Sequence, residues 1–90
     1  MMNPFELNQH FFSLVSMFAS ACWQQLGKMP NQATGETVKD LEGARSTIDM
    51  LLMLQEKTQG NLTGTEAKLL EDSIASLQAN LEEATKDSAT

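Results

Sequence analysis

The chain has 90 residues, of which 41% are hydrophobic, and 12 acidic against 6 basic residues give it a formal net charge of −6. This length corresponds to one small domain, and the hydrophobic content is enough for a folded core rather than wholesale disorder. Surfaces that bind nucleic-acid phosphates concentrate Lys and Arg, so the acidic balance argues against a nucleic-acid partner. A single cysteine, Cys22, excludes an internal disulfide and fits a reducing, cytoplasmic compartment.

The first predicted helix spans residues 5–26 and ends at Gly27, a residue type suited to the left-handed position after a helix. Its apolar side chains cover roughly half of the circumference, well beyond the stripe of about 100° that an ordinary surface helix buries. Glu6 is the only charged residue among the first 26. Since one neighbouring hairpin does not cover so wide an arc, we expect self-association, most simply as a two-fold dimer, through Phe12, Val15, Ala19 and Trp23.

A loop rich in Gly, Pro, Asn and Thr follows, and the second helix is predicted over residues 38–58 with Thr37 as its N-cap. Lys57 in its last turn and Gly60 just beyond it suit a helix C-terminus, and Leu62 is placed to cover that end. The third helix is predicted over residues 63–84. Thr63 and Glu66 match the capping box, in which a hydroxyl and a carboxylate each accept from the other's backbone N–H.

These elements predict an all-α fold, because no segment shows the alternation expected of a strand. The short link makes the second and third helices an antiparallel αα-hairpin. The first helix is free either to pack on its own hairpin or to reach into a homo-oligomeric bundle. We expect one helical domain over residues 1–84 and a frayed acidic tail over 85–90.

No pattern of catalytic or metal-binding residues emerges from the sequence. His10 is the only imidazole and has no convergent partners, and Cys22 has no base or cation within a helical turn. We therefore expect a protein that is not an enzyme and needs no metal or cofactor. The interpretation that we favour is a self-associating interaction module that offers its acidic outer surface to a protein partner. Membrane attachment through residues 5–26 is an alternative, although Lys and Arg are absent before position 28 and the apolar run is short for a membrane span.

The segment from Ile48 to Glu66 carries the pattern Ile-Asp, spaced leucines, Lys-Thr-x-Gly-Asn-Leu-Thr and a Glu three residues on. In this it closely resembles a family of small bacterial proteins classed as a domain of unknown function. The resemblance extends over roughly residues 5–80 and includes the phenylalanine-rich first helix. It implies a bacterial, cytoplasmic, all-helical protein and supplies no activity.

The centre of this pattern has a structural and a functional interpretation. In the structural one, a helix C-cap followed directly by an N-cap fixes the angle between two helices, through the turn and cap residues Lys57, Thr58, Gly60, Asn61, Leu62, Thr63 and Glu66. In the functional one, Asp49, Lys57 and Asn61 converge as a small-ligand or catalytic site. Capping accounts for Gly60, Thr63 and Glu66 without a ligand, so we favour the structural interpretation.

Overall fold

The computed structural model describes residues 5–31 and 33–88, which form three α-helices and, within these ranges, no strand. The helices are α1 (Gln9–Gln25), α2 (Leu41–Lys57) and α3 (Gly64–Ser88). The predicted all-α class and the hairpin of the second and third helices are therefore confirmed.

The first helix starts four residues later than predicted because of its cap. The side chain of Asn8 accepts hydrogen bonds from the backbone N–H groups of His10 and Phe11, at 2.9 and 3.1 Å. These N–H groups have no partner within the helix, so an Asn side chain at this position fixes where the helix begins.

The second helix begins at Leu41, and its N-cap is Asp40 rather than the predicted Thr37. The Asp40 carboxylate accepts from the N–H of Gly43 at 2.9 Å. The Asp40 N–H in turn donates to the carbonyl of Gln25 at 2.7 Å, which joins the start of α2 to the end of α1. Both residue types are good caps, so this tertiary contact decides between them.

The end of α1 at Gly27 agrees with the prediction. Gly27 has a φ of +79°, the left-handed conformation that Gly adopts without steric cost. Its N–H donates to the carbonyl of Gln24, and the N–H of Lys28 donates to that of Trp23, both at 3.0 Å. These two bonds form a Schellman motif, which satisfies the last carbonyls of the helix.

The third helix is longer than predicted, since it continues past Ala84 to Ser88. The hydroxyl of Thr85 donates to the carbonyl of Leu81 at 2.8 Å, and Lys86 pairs with Glu82 at 3.5 Å. Residues 85–88 are thus helical, whereas residues 89 and 90 of the predicted tail lie outside the described residues.

The three helices pack around one core, with α1 on its own hairpin. The end of α1 contacts the start of α2, so these two helices are antiparallel; α3 runs back beside α2. All three helices supply buried apolar side chains: Val15, Cys22 and Leu26 around α1, Ala44, Ile48 and Leu51 from α2, and Leu70, Ile74, Leu77 and Ala84 from α3.

Cys22 is part of this core and is fully buried. Its thiol donates to the carbonyl of Ala44 at 3.6 Å. Burial raises the pKa of Cys22 to about 11, because the charged thiolate is disfavoured away from water. The thiol is therefore protonated at neutral pH, in agreement with the lack of a base or cation near Cys22 in the sequence.

Candidate functional site

The junction between α2 and α3 contains the predicted capping box. The N–H of Thr63 donates to Oε1 of Glu66 at 3.0 Å, and the N–H of Glu66 donates to Oγ1 of Thr63 at 3.1 Å. Both side chains are buried. The prediction of a reciprocal cap at this position is confirmed.

The same two side chains also hold the segment that precedes α1. The hydroxyl of Thr63 donates to the carbonyl of Glu6 at 2.6 Å, and the N–H of Asn8 donates to Oε2 of Glu66 at 2.7 Å. Each carboxylate oxygen of Glu66 therefore accepts from a backbone N–H of a different part of the chain. The bond to Asn8 joins positions 58 apart, and no local sequence pattern indicates it.

These hydrogen bonds change the pKa of Glu66. The backbone N–H groups of Thr63 and then of Asn8 lower the pKa of Glu66 below its ordinary value of 4.5. Hydrogen bonds to a carboxylate favour its charged form. The ionised Glu66 is thus the form that connects the N-terminal segment to the start of α3.

We expect Glu66→Gln to lower the melting temperature near neutral pH. We also expect the melting temperature of this variant to decrease less as the pH falls. A carboxyl whose pKa is lowered in the folded chain contributes its full stabilisation of the folded state above about pH 4.5. This stabilisation is lost as the pH falls through the lowered pKa. Thermal unfolding followed by circular dichroism from about pH 7 to about pH 3 measures the difference. The exposed Glu71→Gln is the matched control, and equal acid dependence in both variants would contradict the role of Glu66.

Several other residues of the turn also have structural roles. The hydroxyl of Thr58 donates to the carbonyl of Leu54 at 2.7 Å, and Gly60 has a φ of +83°. Leu62 is half-buried and packs against the core, while Lys57 is exposed in the last turn of α2. A cation at that position interacts favourably with the C-terminal end of the helix dipole. This geometry supports the structural interpretation of the turn.

The residues of the alternative ligand site do not come together. Asp49 and Lys57 are eight residues apart on α2, which separates them by about 12 Å along the helix axis. Asp49 lines a groove between α2 and α3, whereas Asn61 lines a cleft of about 410 Å³ beside Thr63 and Glu66. Among the residues that the structure describes, no group of three His, Cys, Asp or Glu side chains could hold a metal ion.

The predicted interface residues on α1 have different environments, and Val15 requires a correction. Val15 is only 2% exposed and belongs to the core of its own chain. Ala19 and Trp23 are half-buried and line a small cavity with Leu77 of α3. The prediction assumed that one hairpin does not reach this part of the apolar arc, but α1 contacts both helices of its own hairpin, and together they cover Val15.

What remains exposed on α1 is a surface that we call the outer α1 face. Three of its side chains are large and apolar, namely Phe12 (40% exposed), Leu14 (38%) and Met17 (69%). Phe12 and Leu14 lie at its opposite edges, because residues two apart in a helix point in directions about 160° apart. The exposed Ser13 and Ser20 and the half-buried Ser16 complete it. Most of these residues line a shallow groove of about 500 Å³ formed by α1 alone. Of the predicted interface, only Phe12 lies on this face. Leu14 and Met17 were missed, because apolar side chains cover roughly half of the circumference of α1 and only tertiary packing shows which of them are buried.

The outer α1 face carries no charge. No Asp, Glu, Lys or Arg occurs between Gln9 and Gln25. A surface helix normally places charged side chains opposite its buried stripe. Exposed apolar side chains on a helix without charged residues are typical of an interaction surface.

The arrangement is that of a small three-helix protein whose αα-hairpin carries a first helix with an uncharged outer face. The chain belongs to the family described as "Domain of unknown function (DUF1844)", whose model matches residues 8–83. No curated protein and no solved structure matches the chain. Within the described residues, no helix has the length and apolar character needed to cross a membrane.

Proposed function

We propose that this chain is a non-enzymatic protein-interaction module that self-associates, with two copies pairing through their outer α1 faces in a bacterial cytoplasm. The observation that carries this proposal is the combination on one helix of exposed Phe12, Leu14 and Met17 with a complete lack of charged residues. Pairing removes these apolar side chains from water, which is favourable by about 25 cal/mol for each Å² buried.

The distribution of charge favours a second copy as the partner. Each copy carries a net charge of −6, and residues 59–90 contribute −4 of it, from two lysines and six carboxylates. Two identical acidic molecules repel each other wherever these surfaces meet. The outer α1 face is uncharged on both copies, so contact there brings no like charges into direct opposition.

Small side chains on the same face support close contact between helices. Ser13, Ser16 and Ser20 are spaced three and four residues apart, which places them along one side of α1. Interhelical distances depend on the side chains at the contact and reach about 8 Å where these are small. Phe12 and Met17 flank this row and can pack against the partner in a reciprocal two-fold arrangement.

The proposal predicts that Met17→Glu converts a dimer into a monomer without unfolding it. Met17 is 69% exposed, so the substitution leaves the core of one chain intact while it places a carboxylate in the interface. We expect the dissociation constant, measured by sedimentation equilibrium, to rise at least about tenfold, which corresponds to 1.4 kcal/mol or more.

Ala75→Glu is the matched control, because Ala75 is exposed on α3 and the change in charge is the same. It should leave both the dissociation constant and the helical circular dichroism signal unchanged. Equal dissociation constants for Met17→Glu and Ala75→Glu would show that the outer α1 face is not the interface.

A further inference from the structure

The side of α2 that borders α1 carries two exposed methionines. Gly43 marks this side, because a Cβ atom built on it would lie 2.8 Å from Nε2 of Gln25 in α1. Met50 follows seven residues later, two helical turns on and within about 20° of the same direction. Met53 comes one turn after Met50, and the two side chains are 46% and 50% exposed.

The exposed residues of α1 border α2 in the same way. The side chain of Gln25 accepts a hydrogen bond from the Thr47 hydroxyl at 2.7 Å, so this side of α1 faces α2. Leu14 lies eleven residues before Gln25, about three turns away and on the same side, and Met17 is one turn after Leu14.

The two pairs lie at the same height along the antiparallel helices. The carbonyl of Gln25 meets the N–H of Asp40 and its side chain meets Thr47, so Gln25 lies level with positions 40 to 47. Counting eight positions along the chain in each direction places Met17 level with a position between 48 and 55, the stretch that contains Met50 and Met53. Leu14, Met17, Met50 and Met53 therefore form one exposed apolar surface, which we call the α1–α2 face.

We propose that Met50 and Met53 complete the self-association surface, so that each copy contributes both α1 and α2 to a four-helix interface. This inference rests on the proposed function and specifies its geometry. Its occupant is the α1–α2 face of a second copy. Methionine side chains are unbranched and flexible, and they adapt readily to an apolar partner surface.

The area that a stable dimer needs favours two helices over one. The 17 residues of α1 span about 25 Å, and a helix about 10 Å wide presents roughly 250 Å² in projection. Each partner in a stable protein interface buries about 800 Å² of accessible surface, about three times the projected area of a single strip of this size. The adjoining face of α2, about 8–10 Å away, doubles the projected area.

Oxidation of the methionines by hydrogen peroxide, read by mass spectrometry, tests this geometry on the unmodified chain. The rates for Met50, Met53 and Met17 should fall together, at least about threefold, as the protein concentration is raised through the dimerisation range. Met29, in the loop after α1, is the internal control and should not change. Protection of Met17 without protection of Met50 and Met53 would overturn the inference.

A variant provides the second arm of the test. Met53→Glu should raise the dissociation constant at least about tenfold while Ala75→Glu leaves it unchanged. If Met17→Glu dissociates the dimer and Met53→Glu does not, α2 lies outside the interface, and the inference fails while the proposed function stands. If the unmodified chain is a monomer at every concentration, both fail.

Discussion

Val15→Glu is expected to unfold the protein. Val15 is 2% exposed and lies in the core that α1 forms with α2 and α3. An uncompensated charge at such a position costs about 3–5 kcal/mol, and a small domain is stable by only about 5–15 kcal/mol in total. We expect loss of the cooperative thermal transition or a decrease in melting temperature of more than roughly 15 °C, measured by circular dichroism.

The chain offers a matched control for this substitution. Val38 precedes α2 and is 62% exposed, so Val38→Glu makes the same chemical change in water. It should shift the melting temperature by no more than a few degrees, because surface substitutions typically change the free energy of unfolding by less than about 0.5 kcal/mol. Similar effects of the two substitutions would contradict the packing of α1 on its own hairpin.

Leu70→Ala is expected to have the second largest effect. Leu70 is fully buried in the first third of α3, and removal of a buried leucine side chain typically costs about 2.7–5 kcal/mol, depending on the cavity that remains. In a chain of this size such a loss corresponds to a decrease in melting temperature of more than roughly 10 °C.

Leu52→Ala is the control for Leu70→Ala. Leu52 is 36% exposed on α2 and lines the groove between α2 and α3, so the same truncation leaves no closed cavity. We expect it to cost less than about 1 kcal/mol in urea unfolding experiments. An equal loss for the two leucines would mean that the core is not centred where the structure places it.

The features of this fold that follow from the sequence are those with short-range signals. Gly27 ends α1 because its left-handed conformation suits a Schellman motif, and every bond of that motif lies within five residues. Thr63 and Glu66 are three residues apart, so their capping box depends on one turn of helix. Such patterns can be interpreted before any tertiary contact is known.

The features that could not be predicted depend on contacts between distant parts of the chain. Asp40 replaces Thr37 as the cap of α2 because its N–H meets the carbonyl of Gln25. The contact of Glu66 with Asn8 requires the starts of α1 and α3 to lie side by side. For the same reason the distribution of apolar residues around α1 predicted an interaction surface but did not locate it. Val15 was assigned to that surface although it lies in the core.

Both proposals require that apolar side chains of a second copy bury the uncharged outer α1 face. Sedimentation equilibrium of the unmodified chain, from about 1 µM to about 1 mM, measures this directly. We predict that the average mass rises with concentration from 9.9 kDa toward twice that value. A constant mass of 9.9 kDa over the whole range would contradict self-association through α1.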